Sequence, residues 1–361
     1  MNRVYSDASL LPLFGAQTQT VAHATDQNIE IVRFGSHGFE KRQVLFWTIF
    51  ERTISQLLAE YIEYKSLRLA LRYLNKPEIF VESNGNGANH LLDHARQGFG
   101  QHRVAELFHL KTRFFNASSP LMQHFCENVA SAAALDDVYN AVGSFAWNGQ
   151  RLYPLSASPD VWSSFYLSCP NGQAVRNRYR QVARLYEQHG GGRALSIACG
   201  SAQPLIHALR ALKSSGRGED SQLILTDVSK ESLALAQERA EQAGVDDQVV
   251  CKRVSLRGLV KHFSNEKFNV VEACGIFDYL PDEQVIKLLQ FAFNSLDSKG
   301  SIIVSNMNRT RGARLLLKMY NWPICYRTPL QFGQLISQAG GRNVKVYVEP
   351  WEIHPVATAT L

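Results

Sequence analysis

A mostly parallel α/β sheet of seven strands, behind a mainly helical first half, is the architecture this sequence predicts. Three observations predict it. From residue 193 onward, short apolar runs alternate with helix-length amphipathic stretches, which is how parallel strands and their crossover helices read. The first run ends in a turn, Cys199-Gly200-Ser201-Ala202, that opens a helix, and the second ends on Asp227. Glycine and a helix N-terminus let a ligand lie against bare backbone, and a carboxylate closing the next strand can accept hydrogen bonds from ribose hydroxyls. The layout is that of a nucleoside-cofactor site on the carboxyl edge of a sheet.

Taken in order, Met1 to Asn28 shows little periodicity, and Ile29 to Phe34 reads as a short strand. Phe39 to Leu74 carries no proline or internal glycine, and Val44, Trp47, Phe50, Ile54, Leu57, Leu58 and Tyr61 mark one long amphipathic helix. After the turn cluster Asn84 to Asn89, helices are expected over His90 to Leu110 and Pro120 to Val142. Phe145 to Pro159, with Trp147-Asn148-Gly149 as a hairpin-like turn, is the expected junction between a helical unit, residues 1–150, and a second unit, residues 151–361. Two units also suit a length of 361 residues, given about 150 per domain.

A helix bearing Arg176, Arg178, Arg180 and Arg184 leads into the first strand of the second unit, Ala194 to Ala198. Pro204 suits the first turn of the next helix, where Leu205, Leu209 and Leu212 recur at helical spacing. Leu223 to Thr226 is the second strand, and Ser229 with Glu231 opens a helix carrying Leu233, Ala236 and Ala240. Five more strands are expected at Gln248 to Val254, Phe268 to Ala273, Ser301 to Ser305, Val344 to Val348 and Pro355 to Leu361.

The formal net charge of +6 is modest for this length, and no run of five Lys or Arg occurs, so a small-molecule partner is expected and nucleic acid is not. Cys126, Cys169, Cys199, Cys251, Cys274 and Cys325 lie far apart without C-x-x-C spacing and read as buried thiols of a reducing compartment. His90 and His94 share one helix face, but Leu91 stands where a zinc protease has glutamate, so no metal is expected. His207 reads as packing or surface. No basic start with an apolar core opens the chain, and no stretch reaches the roughly 20 apolar residues of a membrane span. A cytoplasmic protein is expected, and a homodimer is compatible with the long first-half helix.

The turn is too poor in glycine for a dinucleotide fingerprint, because Ala198, Cys199, Ser201 and Ala202 fill positions where bare backbone would meet a pyrophosphate. A donor without phosphate needs one close approach, at Gly200. The strand and turn resemble motif I of the class I S-adenosylmethionine (SAM) methyltransferases, with Ser196 at the usual acidic position and one of three glycines present. Three further segments are Cys274-Gly275-Ile276-Phe277-Asp278-Tyr279-Leu280, Ser305-Asn306-Met307-Asn308 and Asn321-Trp322-Pro323-Ile324-Cys325-Tyr326-Arg327-Thr328. With Ala198-Cys199-Gly200 they resemble a bacterial class I subfamily linked to 3-hydroxypalmitic acid methyl ester synthesis, over about residues 161–361.

The resemblance implies a seven-stranded Rossmann-like sheet, SAM as methyl donor, and a small-molecule acceptor, with the carboxylate of a fatty or other small acid as one reading. Amine or hydroxyl methylation of a secondary metabolite, and an inactive SAM-binding sensor, are the alternatives. In this reading Ala198, Cys199 and Gly200 border the donor's amino-acid part, Asp227 binds its ribose and Val228 touches adenine. Ser255 and Leu256 follow the next strand near adenine, with a helix cap as the rival role for Ser255. Cys274 and Gly275 border the methyl, and Asp278 and Tyr279 are the catalytic candidates at the acceptor mouth, a helix cap near Pro281 and a core aromatic being their rivals.

Asn306 and Asn308 offer donors and acceptors on the ligand side, or serve turn chemistry. Arg327, with Trp322 and Tyr326, can fix an acceptor carboxylate by a bidentate fork, or form a structural ion pair. Arg178, or Arg176, would reach the donor's carboxylate, against a solvated basic helix face; Tyr166 and Tyr179 are weaker acceptor-side candidates. A carboxylate acceptor needs little general base, whereas a hydroxyl or amine needs one.

Overall fold

The computed structural model describes residues 18–24, 29–34, 132–140, 170–308, 324–349 and 351–361. Among the described residues nine strands form one sheet: β1 Thr18–Ala24, β2 Ile29–Phe34, β3 Arg193–Ile197, β4 Gln222–Asp227, β5 Val249–Arg253, β6 Phe268–Cys274, β7 Leu296–Ser305, β8 Arg342–Val348 and β9 Val356–Thr360. Their spatial order is β1-β2-β8-β9-β7-β6-β3-β4-β5. Only β9 and β1 pair antiparallel with their neighbours. All seven expected strands of the second half are present, β7 beginning earlier, at Leu296.

Two strands extend the sheet beyond those seven. Ile29–Phe34, expected as a strand, pairs parallel with β8. Thr18–Ala24, in a stretch expected to lack regular structure, pairs antiparallel with β2. Of the first-half helices, α1 (Ala132–Asn140) lies within the one expected at Pro120 to Val142. Those expected over residues 39–74 and 90–110, the turn at 84–89 and the junction at 145–159 lie outside the described residues.

Each face of the sheet is covered because successive strand residues point to opposite sides. In β3, Leu195 and Ile197 enter a core roofed by α5 (Leu259–Phe263), α6 (Asp282–Asn294) and α7 (Pro329–Gln338). Ala194 faces the other core, built with α2 (Pro170–Gln188), α3 (Gln203–Ser214) and α4 (Lys230–Ala243). Leu205, Leu209 and Leu212, predicted as the apolar stripe of α3, are buried there, each contributing about 1.5–3 kcal/mol of burial. Local chemistry sets the helix ends: the Ser229 hydroxyl accepts from Ser232 N to start α4, and Gly244, left-handed, ends it.

The chain leaves β3 for β4 and β5 on one side and returns to β6 on the other. That reversal opens a crevice at the carboxyl ends of β3 and β6, where open α/β sheets hold their ligands.

Candidate functional site

The turn leaving β3 keeps a left-handed backbone at every second residue, with φ of 54° at Ala198, 55° at Gly200 and 50° at Ala202. An alanine in that region costs about 1–2 kcal/mol. The chain thus holds a glycine-type turn with alanine at two of its three left-handed positions, and strain of this kind survives where surrounding contacts over-determine it. Those contacts are visible. Cys199 N donates to Thr226 O at 3.0 Å, and Gly200 N donates to Asp227 Oδ2 at 3.1 Å. The other oxygen, Asp227 Oδ1, accepts from Ser229 N at 2.9 Å, so one half-buried carboxylate ties the turn to the start of α4.

Val228, beside it, is 56% exposed, leaving an apolar edge for a flat ring. Ser255 is exposed and makes no side-chain cap bond, so its rival role as a cap is not seen, and Leu256 next to it is half-buried. Above the turn runs α1: Ala132 Cβ lies 3.6 Å from where a β-carbon on Gly200 would stand. The Asp136–Arg239 ion pair, at 2.6 Å, fastens α1 to α4.

Arg176 and Arg178 are each 5% exposed, which corrects the reading of a solvated basic face. Arg178 Nη2 donates to Tyr139 Oη of α1 at 2.9 Å. Its Nη1 lies 3.8 Å from the place of a β-carbon on Gly275, whose φ of 99° only glycine adopts freely. Burial opposes its charge, yet Tyr139, Asp278 and Cys274 together hold its pKa above the ordinary arginine value. A buried, charged guanidinium therefore stands at the crevice with one side-chain hydrogen bond and no ion-pair partner among the described residues.

Ser196, at the position where the resemblance expects an acid, pairs in register with Glu272 of β6, and its hydroxyl donates to that carboxylate. The acid stands one strand over. Burial raises the Glu272 pKa, with bonds from Ser196 and Cys274 and the Arg178 charge opposing. Sequence reasoning passed over Glu272, although a charge inside the run Val270-Val271-Glu272-Ala273 was the available signal. Burial likewise pushes the Cys199 and Cys274 thiols well up. Among the described cysteines Cys325 is exposed, contrary to the buried-thiol reading; Cys126 and Cys169 lie outside the described residues.

On the acceptor side the structure corrects several assignments. Arg327 donates through Nε and Nη2 to Asp282 and through Nη1 and Nη2 to Phe277 O, Asn306 Oδ1 and Leu280 O, so its fork is closed by the protein itself. The structural ion pair is what forms. Asn306, fully buried, donates to Asp278 Oδ1 at 2.7 Å and to Cys325 O at 3.1 Å; Asn308 donates to Glu352 O at 2.7 Å. Neither amide is open to a substrate in this arrangement. Asp278 is 4% exposed, accepts also from Met307 N at 2.6 Å, and does not cap α6, whose N-cap is Pro281. Burial raises its pKa, against the Arg178 charge.

Tyr279 is 39% exposed at the crevice rim. Half-buried Tyr326 packs against Ala174, Met307 and Ile353. Tyr179 is buried, 5.1 Å from the Tyr139 ring, with its hydroxyl bonded to His207. Tyr166 and Trp322 lie outside the described residues.

The loop from β8 to β9 brings in two side chains that sequence reasoning missed. Glu349, buried, accepts from the backbone N–H groups of Trp351, Ile353 and His354 at 2.8, 2.6 and 3.2 Å. His354 is 3% exposed, and neither of its ring nitrogens has a hydrogen-bond partner among the described residues. Burial, with the Arg178 charge, lowers its pKa well below that of ordinary histidine. No spacing in the sequence marks it.

Comparison with known proteins follows the same lines. A search of solved structures matched a possible exported protein from Bordetella parapertussis, 18% identical, over 66% of this chain and 85% of that one, with a TM-score of 0.53. The SAM-dependent methyltransferase SibL, in its apo form, is 17% identical over 66% and 72%, but at a TM-score of 0.43 that likeness carries no weight. A search of curated proteins found no match. Among the described residues no helix is long and apolar enough to cross a membrane. Residues 188–341, from the end of α2 to just past α7, match the family described as "Methyltransferase domain"; the span holds the turn after β3, Asp227 and the end of β6, and it makes the chain a transferase enzyme.

Proposed function

We propose that the protein is a SAM-dependent methyltransferase that acts on a small molecule. The observation that carries the proposal is the presence at one crevice of Asp227, bonded to the left-handed turn after β3, and of a buried Arg178 with no ion-pair partner among the described residues. A nucleoside amino acid fits that pairing at both ends. Asp227 would accept from the ribose hydroxyls, Val228 would lie against adenine, and the backbone of Ala198 to Gly200 would border the chain between them. Arg178 would take the carboxylate, and Glu272 would face the ammonium group. The bound donor supplies an electrophilic methyl on a sulfonium.

The protein's share is alignment and exclusion of water, since an in-line displacement gains most from fixed geometry. Tyr139 orients Arg178, and α1 covers the turn. Glu349 fixes the loop behind the acceptor side. Arg327, the candidate partner of an acceptor carboxylate, is occupied by Asp282 and three backbone or amide oxygens. The first half of the chain is proposed to complete the acceptor pocket.

Calorimetry tests the reading. The demethylated donor, S-adenosylhomocysteine (SAH), is expected to bind one to one and NAD not at all; saturable NAD binding without SAH binding would overturn it.

A further inference from the structure

We propose that His354 is the general base of this site and that the methyl acceptor is a hydroxyl compound. The inference rests on the SAM reading above. A buried polar atom without a partner costs about 1–3 kcal/mol, and His354 has two such atoms, both ring nitrogens, unpartnered among the described residues. A ligand that supplies the missing partner accounts for their survival in a folded protein.

The backbone says where that ligand lies. Asn308 N donates to Ile353 O at 2.8 Å and Asn306 N to Pro355 O at 3.4 Å, so the residues flanking His354 are tied to the end of β7. β7 adjoins β6, whose end at Gly275 borders Arg178. Glu349 holds the His354 N–H itself, so the loop that carries the ring is fixed and not mobile about it. Among the described residues the charge bearing on the His354 ring is that of Arg178, from α2, while Glu349 of its own loop accepts from its backbone N–H.

The chemistry selects among acceptors. A carboxylate arrives without its proton and leaves a base nothing to do, whereas a hydroxyl must lose one. In the transfer an oxygen lone pair forms the O–CH3 bond while the C–S pair passes to sulfur. The hydroxyl proton goes to a ring nitrogen of His354 and later to water. A methylated hydroxyl oxygen is so strong an acid that even an imidazole of lowered basicity takes its proton. A methylated amine is far too weak an acid for that. The positive charge lost by the sulfonium reappears on the imidazole, so the site's net charge is unchanged across the step. The donor's carboxylate on Arg178 also offsets the cation that otherwise opposes protonation of His354.

Product chemistry tests this. Methyl-labelled SAM is incubated with the full chain and a low-molecular-mass extract of the cells that make it, and labelled products are separated by mass spectrometry. A methyl ether that survives mild alkali is expected. Labelled methanol released by alkali (an ester), a labelled basic amine, or no labelled product overturns the proposal. His354→Asn is expected to lower kcat about 100-fold or more with SAH affinity unchanged, and to lose the wild-type rise of kcat with pH. His354→Gly is expected to regain turnover with added imidazole, which a merely structural histidine would not allow. Unchanged kcat in His354→Asn, or no rescue by imidazole, counts against the base. SAH calorimetry on the wild type separates the two layers: no SAH binding removes the donor reading, while SAH binding with ester products removes only this inference.

Discussion

Replacing Arg178 by methionine separates a ligand-binding arginine from a structural one. Its guanidinium is 5% exposed, with one side-chain hydrogen bond, to Tyr139. Truncating one partner of a buried charged pair costs about 2–5 kcal/mol of affinity, and tenfold corresponds to about 1.4 kcal/mol, so SAH affinity should fall about 30-fold to several-thousand-fold. Folding should weaken as well. The variant loses one hydrogen bond worth about 0.5–1.5 kcal/mol. It also removes a cation that Tyr139, Asp278 and Cys274 together favour by more than burial opposes it. Calorimetry with SAH and thermal unfolding of the free protein measure both. A lower Tm with unchanged SAH affinity would refute the reasoning, because it would make Arg178 a strut.

Three further outcomes follow. Asp227→Ala should weaken SAH binding and free the turn, since Gly200 N and Ser229 N both lose their acceptor; a calorimetric affinity equal to wild type would take Asp227 out of the site. Ala198→Gly should raise stability by about 1 kcal/mol, read as a higher midpoint in urea, by relieving the left-handed φ of 54°; a lower midpoint would show that the turn is not strained. His354 has a depressed folded pKa, so its contribution is present above the ordinary value of about 6.5 and is lost as pH falls toward the depressed one. The wild-type Tm should therefore fall between pH 7 and pH 5 more steeply than that of His354→Asn, and parallel curves would contradict the burial argument.

What the sequence disclosed, and what it concealed, follows from the range of the interactions. The seven strands of the second half are apolar runs bounded by turn residues, and burial on both faces makes such runs stand out. β1, reading Thr18-Gln19-Thr20-Val21-Ala22-His23-Ala24, offers no such run; its partner across the sheet makes it a strand. Asp227 and Gly200 were legible because both sit beside the ends of recognisable strands. Arg327 kept two readings in the sequence because the partner that decides between them, Asp282, is 45 residues away. Glu272 was missed because only the parallel register of β3 and β6 sets it beside Ser196. His354 lies in the loop between the last two strands, and its unpartnered ring is a property of packing that no local pattern encodes.

A crystal of the full chain grown with SAH tests the central claim most directly. The account predicts the ribose hydroxyls on Asp227, the adenine against Val228 and the carboxylate on Arg178. SAH seated elsewhere, or Arg178 turned away to an acidic side chain of the protein with the ligand carboxylate held by other groups, would contradict it.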